Sequence, residues 1–500
     1  MGRSKPIVYN AILLTGVHLA LRFVSTSFQV YLSGKIGAAG IGLLQLVLSV
    51  GGLAITVGMG GIRTATMYLC AEAVGQKRSE NMGWVLSGCV RYSMILSTST
   101  ALILYGIAPQ IAGKWIGNPN TVNAVRLLAC FLPVNCLCGV MAGHFTGVNR
   151  IGTLAAVEVA EQLFTMVMTV LLLDVWAGQD ASRACQAVIL GSGLGACFTL
   201  TVLLLLKRKE NQRIGKQISL RQKLRETAVP LAIADNVKAG ISTTENLMVP
   251  KRLAMYPGDI APLEAFGMVC GMVFPVLMFP AAILFALAEL LIPELARCSA
   301  AGSTARIRHL TERSLLLALL YGCLCGGILF LWAEPLCERL YHTKDAGIYL
   351  RLFSLLAPML YCDAIVDAMT KGLGQQKICV RYNIITSAMD VILLFLLLPR
   401  LGMQGYFISF FVTHLINFIL SIRLLRRLVG RLIPFHRAVF SLLGCTCGIL
   451  AALMLPDRWQ IVGFLGVFSA TLILLGVIRR KDLTWLKGLV FPTKQQAGDC

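Results

Sequence analysis

The sequence predicts an all-α, polytopic membrane protein of about fourteen transmembrane helices, and three observations predict it. Hydrophobic residues make up 57% of the 500 positions and charged residues only 14%, where a soluble domain carries about 25% charged side chains; mean hydropathy is +0.75. The apolar residues fall in runs close to twenty long, the length a helix needs to cross a hydrocarbon core of about 30 Å. The 45 Lys and Arg outnumber the 24 Asp and Glu, a net charge of +21, and the excess is gathered in short connections between the runs. A nucleic-acid binder presents such an excess on a water-exposed face, and no polar segment here is long enough to build one. The same composition excludes disorder, collagen and a secreted disulfide scaffold.

Taken in chain order, the runs lie near residues 7–32, 38–61, 84–107, 127–146, 151–173, 184–206, 228–248, 265–288, 314–333, 350–370, 378–398, 403–422, 438–455 and 461–478. They are continuous in Leu, Ile, Val, Ala and Gly without strict alternation, so a transmembrane β-barrel is excluded. The first run holds Asn10, His18 and Arg22 and no convincing cleavage site follows it, so it reads as a retained helix and not a signal peptide. The first two runs and their connection are dense in glycine, among them Gly34, Gly37, Gly42 and Gly52, which permits close backbone approach and bending. Proline interrupts later runs at Pro133, Pro275, Pro280 and Pro358.

Placing both termini in the cytoplasm, and counting Arg351 and Arg381 at run ends with the connections they adjoin, puts 31 of the 45 Lys and Arg on cytoplasmic segments and 11 on outer connections, with Arg22, Arg91 and Lys238 inside runs. This is the asymmetry expected of an even number of spans in that orientation. The most basic connection, KRKENQRIGKQISLRQKLRE from Lys207 to Glu226, follows the sixth run. It divides the chain into a six-helix lobe at 1–206, a cytoplasmic linker at 207–226, a second six-helix lobe at 227–430, and two extra helices with a cytoplasmic tail at 431–500. GVNRIGTLAAVEVAEQ (147–162) and GQQKICVRYNIITSAMD (374–390) share a pattern: glycine, a polar pair, a cation, then a helix with an internal acid. Their offset of six helices points to a parallel repeat.

An ionisable side chain at the centre of a transmembrane helix costs about 2.5–3.5 kcal/mol on insertion scales, so it faces a partner or a wet cavity. Arg22 lies near the middle of the first run, with His18 on the same face. Glu158 and Glu161 share a face of the fifth run, Asp235 and Lys238 of the seventh, Asp363 and Asp367 of the tenth, and Asp390 sits near the centre of the eleventh. At i,i+3, Asp235 and Lys238 either neutralise one another or line a pathway. Glu161 has no cation on its own face and needs a partner on another helix. Isolated His144 and His414 read as packing or hydrogen-bonding residues.

The 17 cysteines are scattered through apolar runs, as in Cys323-Leu-Cys325 and Cys445-Thr-Cys447. Residues two apart on a helix point about 200° away from each other, so neither a disulfide framework nor a metal set is expected, and Cys serves as a small packing residue. No HExxH, GxSxG or GxxxxGK[ST] segment is present, and no connection is long enough for a catalytic domain. The chain is expected to be neither an enzyme nor a cofactor protein.

Three segments, GMGGIRTATMYLCAEAVGQKR, FTGVNRIGTLAAVEVAEQ, and ENLMVPKRLA followed by EAFGMVCGMVFPVLMFPAAILFALAELLIPELA, resemble in content, order and spacing the stage V sporulation protein B branch of the polysaccharide-type flippases, within the multidrug/oligosaccharidyl-lipid/polysaccharide exporter superfamily. The likeness runs from about Arg22 to Arg427. It implies two six-helix lobes in a pseudo-twofold arrangement around a central cavity, plus two C-terminal helices. It also implies alternating access, with a lipid-linked oligosaccharide or peptidoglycan precursor as cargo, in spore cortex or cell-wall polysaccharide biosynthesis at the bacterial cytoplasmic membrane. Arg22 matches an arginine that relatives carry in the first helix, facing the cavity. Where the lipid II flippase has a second arginine this chain has Phe28, followed by Gln29. Glu161-Gln162 matches the family's Glu-Gln pair, and the arginine that often follows is replaced in the Phe164-Thr165 neighbourhood.

The cargo head would be an anionic polyprenyl pyrophosphate. Arg22 would hold it through bidentate bonds, with Lys238, Glu161 and Gln162 completing the cavity site. Asp235, Asp390 and Glu158 would bind and release a coupling cation, Na+ or H+. Cell-wall synthesis proteins are further candidate partners; nucleic acid is not. A multidrug or cation antiporter of the same superfamily, and a non-transporting membrane scaffold for cell-wall synthesis, are the alternatives.

Overall fold

The computed structural model describes residues 4–75, 82–177, 180–207, 220–258, 260–430, 432 and 434–477, and every regular element among them is helical. Most of the basic linker, at 208–219, and the tail from 478 lie outside the described residues, as does the side chain of His18. The expected all-α polytopic architecture is borne out. Many of the largest apolar side chains face outward, Leu102 and Leu205 at 70% and 79% exposure among them, as they do when hydrocarbon is the solvent.

α1 (Ser4–Met59) carries the first two runs, broken into two arms at Gly37, whose φ of 70° and ψ of 174° belong to a region open essentially only to glycine. α15 (Gln376–Val429) repeats the device, breaking at Gly402 (φ 58°, ψ −139°) shortly after Pro399. Between them come α2 (Ile62–Gly75), α3 (Met82–Gln110), a π-helical turn at Ile111–Ile116, α4 (Val122–Gly147), α5 (Ile151–Leu172) and α6 (Ala181–Leu206). After the linker come α7 (Leu220–Leu253), α8 (Pro262–Gly267), a second π turn at Met268–Val273, α9 (Phe274–Met278), α10 (Ala282–Ala300), α11 (Thr304–Leu331), α12 (Ala333–Tyr341), α13 (Asp345–Ser354) and α14 (Ala357–Gly372). α16 (Phe435–Leu453) and α17 (Asp457–Leu474) close the described chain.

Among the described residues eight helices are long and apolar enough to cross a membrane, or ten if two bent pairs are each one span. The pairs are Pro262–Met278 with Ala282–Ala300, bent by 63°, and Asp345–Ser354 with Ala357–Gly372, bent by 55°. The difference from fourteen runs has visible causes. Two of the eight, Ala20–Val74 and Gln376–Val429, each contain a glycine break and so two arms, while α7 is diluted by its charged residues and α17 by the polar turn that opens it, Asp457 to Gln460. Pro280 and Pro358 mark the two bends; Pro133 is absorbed within a continuous α4.

The chain gathers into two compact units. One comprises residues 1–275 and 384–410, the other residues 276–383 and 411–500. In the first, α2, α3, α4 and α6 bury Ile62, Leu86, Val140, Phe145 and Leu203 against one another. In the second, the proline break between α9 and α10 interrupts the regular ladder of main-chain hydrogen bonds, and two tyrosines donate to carbonyls there. Tyr361 donates its hydroxyl to the Leu277 carbonyl at 2.7 Å and Tyr321 to that of Pro280 at 3.0 Å. Phe464 of α17, wholly buried, stacks on Phe468 with centroids 5.5 Å apart.

Candidate functional site

All of the sequence-predicted site residues fall in the first unit. Arg22 is exposed on the first arm of α1, and Thr26 ties the helix locally by donating its hydroxyl to the Arg22 carbonyl at 3.0 Å. Ser25, one turn on and therefore on the same face, receives a hydrogen bond from Gln162 Nε2 of α5 at 3.2 Å. The structure thus brings Gln162 to the face of α1 that carries Arg22. The Arg22 guanidinium pairs with no carboxylate among the described residues, which leaves it open to an anionic ligand. Further along, Gln29 Nε2 donates to the Gly271 carbonyl at 3.2 Å, so the position beside Phe28 serves packing of the second π turn.

On α5, Glu161 faces Thr199 of α6 and has Glu158 as a charged neighbour. Glu158 is engaged: Arg63 Nη2 stands 3.8 Å from its Oε1, both side chains being partly exposed. Arg63 opens α2 directly after the Gly60-Gly61 turn. The sequence reading left it in a cytoplasmic connection because the glycines end the apolar run. Its signal was a cation within one turn of that run's end, the reach over which long basic side chains bend back toward the membrane.

The second cluster centres on Asp390 of α15, which is buried. Ser409 donates its hydroxyl to Asp390 Oδ1 at 2.6 Å, and the Asp390 and Glu245 carboxyl groups lie within hydrogen-bonding reach of each other. Tyr406, 5% exposed, has both acids as neighbours and sets its hydroxyl 3.9 Å from Cys270 Sγ. Two carboxyl groups in a low-dielectric site cannot both remain charged without a cation between them. Glu245 does not stand out in the sequence because it lies three residues from the expected end of its run, six before Lys251, where a charge is cheap. α7 itself is pinned to the second arm of α1 through Ser49: Asn246 Nδ2 donates to its hydroxyl at 2.9 Å and the Thr243 hydroxyl to its carbonyl at 3.1 Å.

Asp235 and Lys238 are both exposed and form no ion pair with one another, so mutual neutralisation does not occur. No hydrogen bond or ion pair among the described residues joins either of them to Arg22, Glu161 or Gln162. In the second unit Asp367 pairs with Lys371 at 2.5 Å and Asp363 accepts from Asn417 Nδ2 at 3.2 Å. His144 is a buried packing residue with Nδ1 3.6 Å from Cys70 Sγ. Among the described residues no three His, Cys, Asp or Glu side chains converge as a metal-binding group.

No family model matches the chain. Among curated proteins it is 21% identical over 408 residues to stage V sporulation protein B of Bacillus subtilis (strain 168), covering 79% of each chain. It is 23% identical over 231 residues to sporulation protein YkvU of the same organism, covering 44% of this chain and 51% of that one. Among solved structures, the lipid II flippase MurJ in an inward closed conformation superposes with a TM-score of 0.68 at 12% identity, over 95% of this chain and all of that one. A multidrug resistance MATE family transporter of the MOP superfamily, in an inward-facing conformation, gives 0.65 at 13% identity, over 83% and 98%. The expected resemblance is therefore borne out at the level of fold and of sequence relationship.

Proposed function

We propose that this chain, a multi-pass membrane protein with the fold of the MOP-superfamily transporters and a sequence related to stage V sporulation protein B, is a flippase that carries a lipid-linked oligosaccharide or peptidoglycan precursor across the bacterial cytoplasmic membrane. The termini and the 207–226 linker lie in the cytoplasm in this reading, and the lobes at 1–206 and 227–430 alternate access to the two sides. The observation that carries it is Arg22: a guanidinium without a carboxylate partner among the described residues, on the helix face that Gln162 reaches. An unpaired cation in hydrocarbon is costly, and an anionic pyrophosphate head group offsets that cost through bidentate bonds. A cation-exporting antiporter gains nothing from it.

Glu245 and Asp390 supply the coupling step. One cation, Na+ or H+, is held between the two carboxyl groups and released when the packing around α7 and α15 changes. Asp235, Lys238 and Glu161 then act as polar lining, and Glu158 is occupied by Arg63. The acid pair also favours the antiporter as a second reading, and substitution separates the two. In cells depleted of the native protein, Arg22→Ala should fail to clear the lipid-linked precursor from the inner leaflet, by at least about tenfold if one charge-assisted contact is lost, while Arg22→Lys restores part of the flux. Normal clearance by Arg22→Ala together with lost drug or cation efflux in Glu245→Gln would instead establish the antiporter.

A further inference from the structure

The end of α7 farthest from the linker borders a cavity of about 550 Å³, within the range of small-molecule sites. Its wall is mostly apolar, formed by Leu53 of α1, Leu247 and Met248 of α7, Met255 just beyond it, Trp115 of the first π turn and Phe395 of α15. Two adjacent cations, Lys251 and Arg252, line the same cavity. Neither meets a carboxylate among the described residues. Lys251 Nζ donates to the Lys114 carbonyl, which leaves its other N–H groups open. Arg252 sits over the Phe395 ring, Cζ 3.2 Å from the centroid, with Nη1 3.5 Å from Met255 Sδ, and no carboxylate among the described residues takes its other N–H groups.

A role at the helix terminus accounts for the two charges but leaves the apolar cavity beside them unexplained. Trp115, Met255 and Phe395 are 47%, 62% and 48% exposed; the first two lie just beyond the apolar runs and Phe395 within one, so the cavity opens where hydrocarbon meets the polar boundary. A water-soluble anion makes no use of that wall, and a hydrophobic cation is repelled by its rim.

We propose that this cavity binds an anionic phospholipid, with one acyl chain along the Leu53–Leu247–Met248 wall and the phosphodiester between Lys251 and Arg252. Its lining includes neither Arg22 nor Glu245 nor Asp390, and the proposal does not depend on what the chain transports.

The test uses the full chain in phosphatidylcholine vesicles doped with either a photoactivatable phosphatidylglycerol or its phosphatidylcholine counterpart, and reads crosslinks to residues 240–258 by mass spectrometry. Phosphatidylglycerol should label this segment about tenfold more than phosphatidylcholine, the worth of one charge-assisted contact. The Lys251→Gln/Arg252→Gln variant should lose the preference and Lys251→Arg/Arg252→Lys should keep it. Thr244→Trp, which fills the cavity and leaves both cations, should abolish labelling by both lipids; it decides the matter if the double glutamine variant does not fold. Equal labelling by the two lipids, or a preference that survives in the glutamine variant, overturns the proposal. Displacement of the label by soluble glycerol phosphate overturns the acyl-chain part and leaves an anion site only.

Discussion

Gly267→Ala should open the contact between the second arm of α1 and α8. A Cβ built on Gly267 would stand 2.7 Å from the backbone nitrogen of Gly42 and closer still to the carbonyl oxygen of Ala38. The closest common carbon-to-oxygen approach is about 3.3 Å, so even the looser of the two contacts demands that the helices part by roughly 0.6 Å. Both neighbours are backbone, and no rotamer change relieves them. Gly267 has φ −62°, so alanine regains the helix propensity that glycine lacks, about 1 kcal/mol. Overpacking costs about 1–3 kcal/mol and outweighs that gain. In the transport cycle proposed above, with lobes at 1–206 and 227–430, this contact between residues 42 and 267 would belong to one of the closed states. Destabilising it by the net, up to about 2 kcal/mol, shifts the balance toward the opposite state by up to about 30-fold. Hydrogen–deuterium exchange in lipid nanodiscs reads this directly, as faster exchange of amides in 38–47 and 262–271 in the variant. Gly52→Ala is the control, because a Cβ there meets nothing within 4 Å. If Gly267→Ala exchanges no faster than Gly52→Ala, the contact is not a closed gate and the reasoning fails.

Other expectations follow from the same geometry. Glu245→Gln and Asp390→Asn should each flatten the dependence of transport on the coupling ion, and the double variant should be no worse than either alone; additive losses would mean that the two acids act separately. Arg63→Gln breaks a partly exposed ion pair and should cost under about 1 kcal/mol in thermal unfolding while slowing transport more than stability explains; a normal rate would make the Arg63–Glu158 pair merely structural. Gly37→Ala meets no neighbour within 4 Å yet should destabilise the fold by about 1–3 kcal/mol through backbone conformation alone, and an unchanged unfolding midpoint in detergent would contradict that.

The helical architecture was legible in the sequence because run length, apolar continuity and charge alternation all report one constraint, the satisfaction of every backbone polar group within hydrocarbon. Helix continuity was not legible. Gly37 and Gly402 break helices without leaving a loop, and Pro280 and Pro358 bend two spans while Pro133 bends none; residue type alone does not tell these cases apart. The site was half legible. Arg22, Glu161 and Asp390 stand out because charge in the middle of an apolar run is expensive, and Gln162 through the family resemblance. Glu245 and Arg63 lie near run ends, where the same charges cost little, and only tertiary packing shows Glu245 beside Asp390 and Arg63 beside Glu158. The Asp235–Lys238 spacing suited an ion pair, yet both side chains are exposed and unpaired with each other, since spacing fixes a shared face and not a contact.

The most direct test of the transport reading uses the purified chain in vesicles that carry a fluorescent polyprenyl-pyrophosphate glycan and are exposed to a quencher that cannot cross the bilayer. The wild-type chain should expose the inner-leaflet pool to quenching, so that fluorescence falls well below the half that protein-free vesicles retain, and Arg22→Ala should behave like protein-free vesicles. Retention of the inner pool by well-folded wild-type protein, with its coupling ion gradient imposed, would contradict the account.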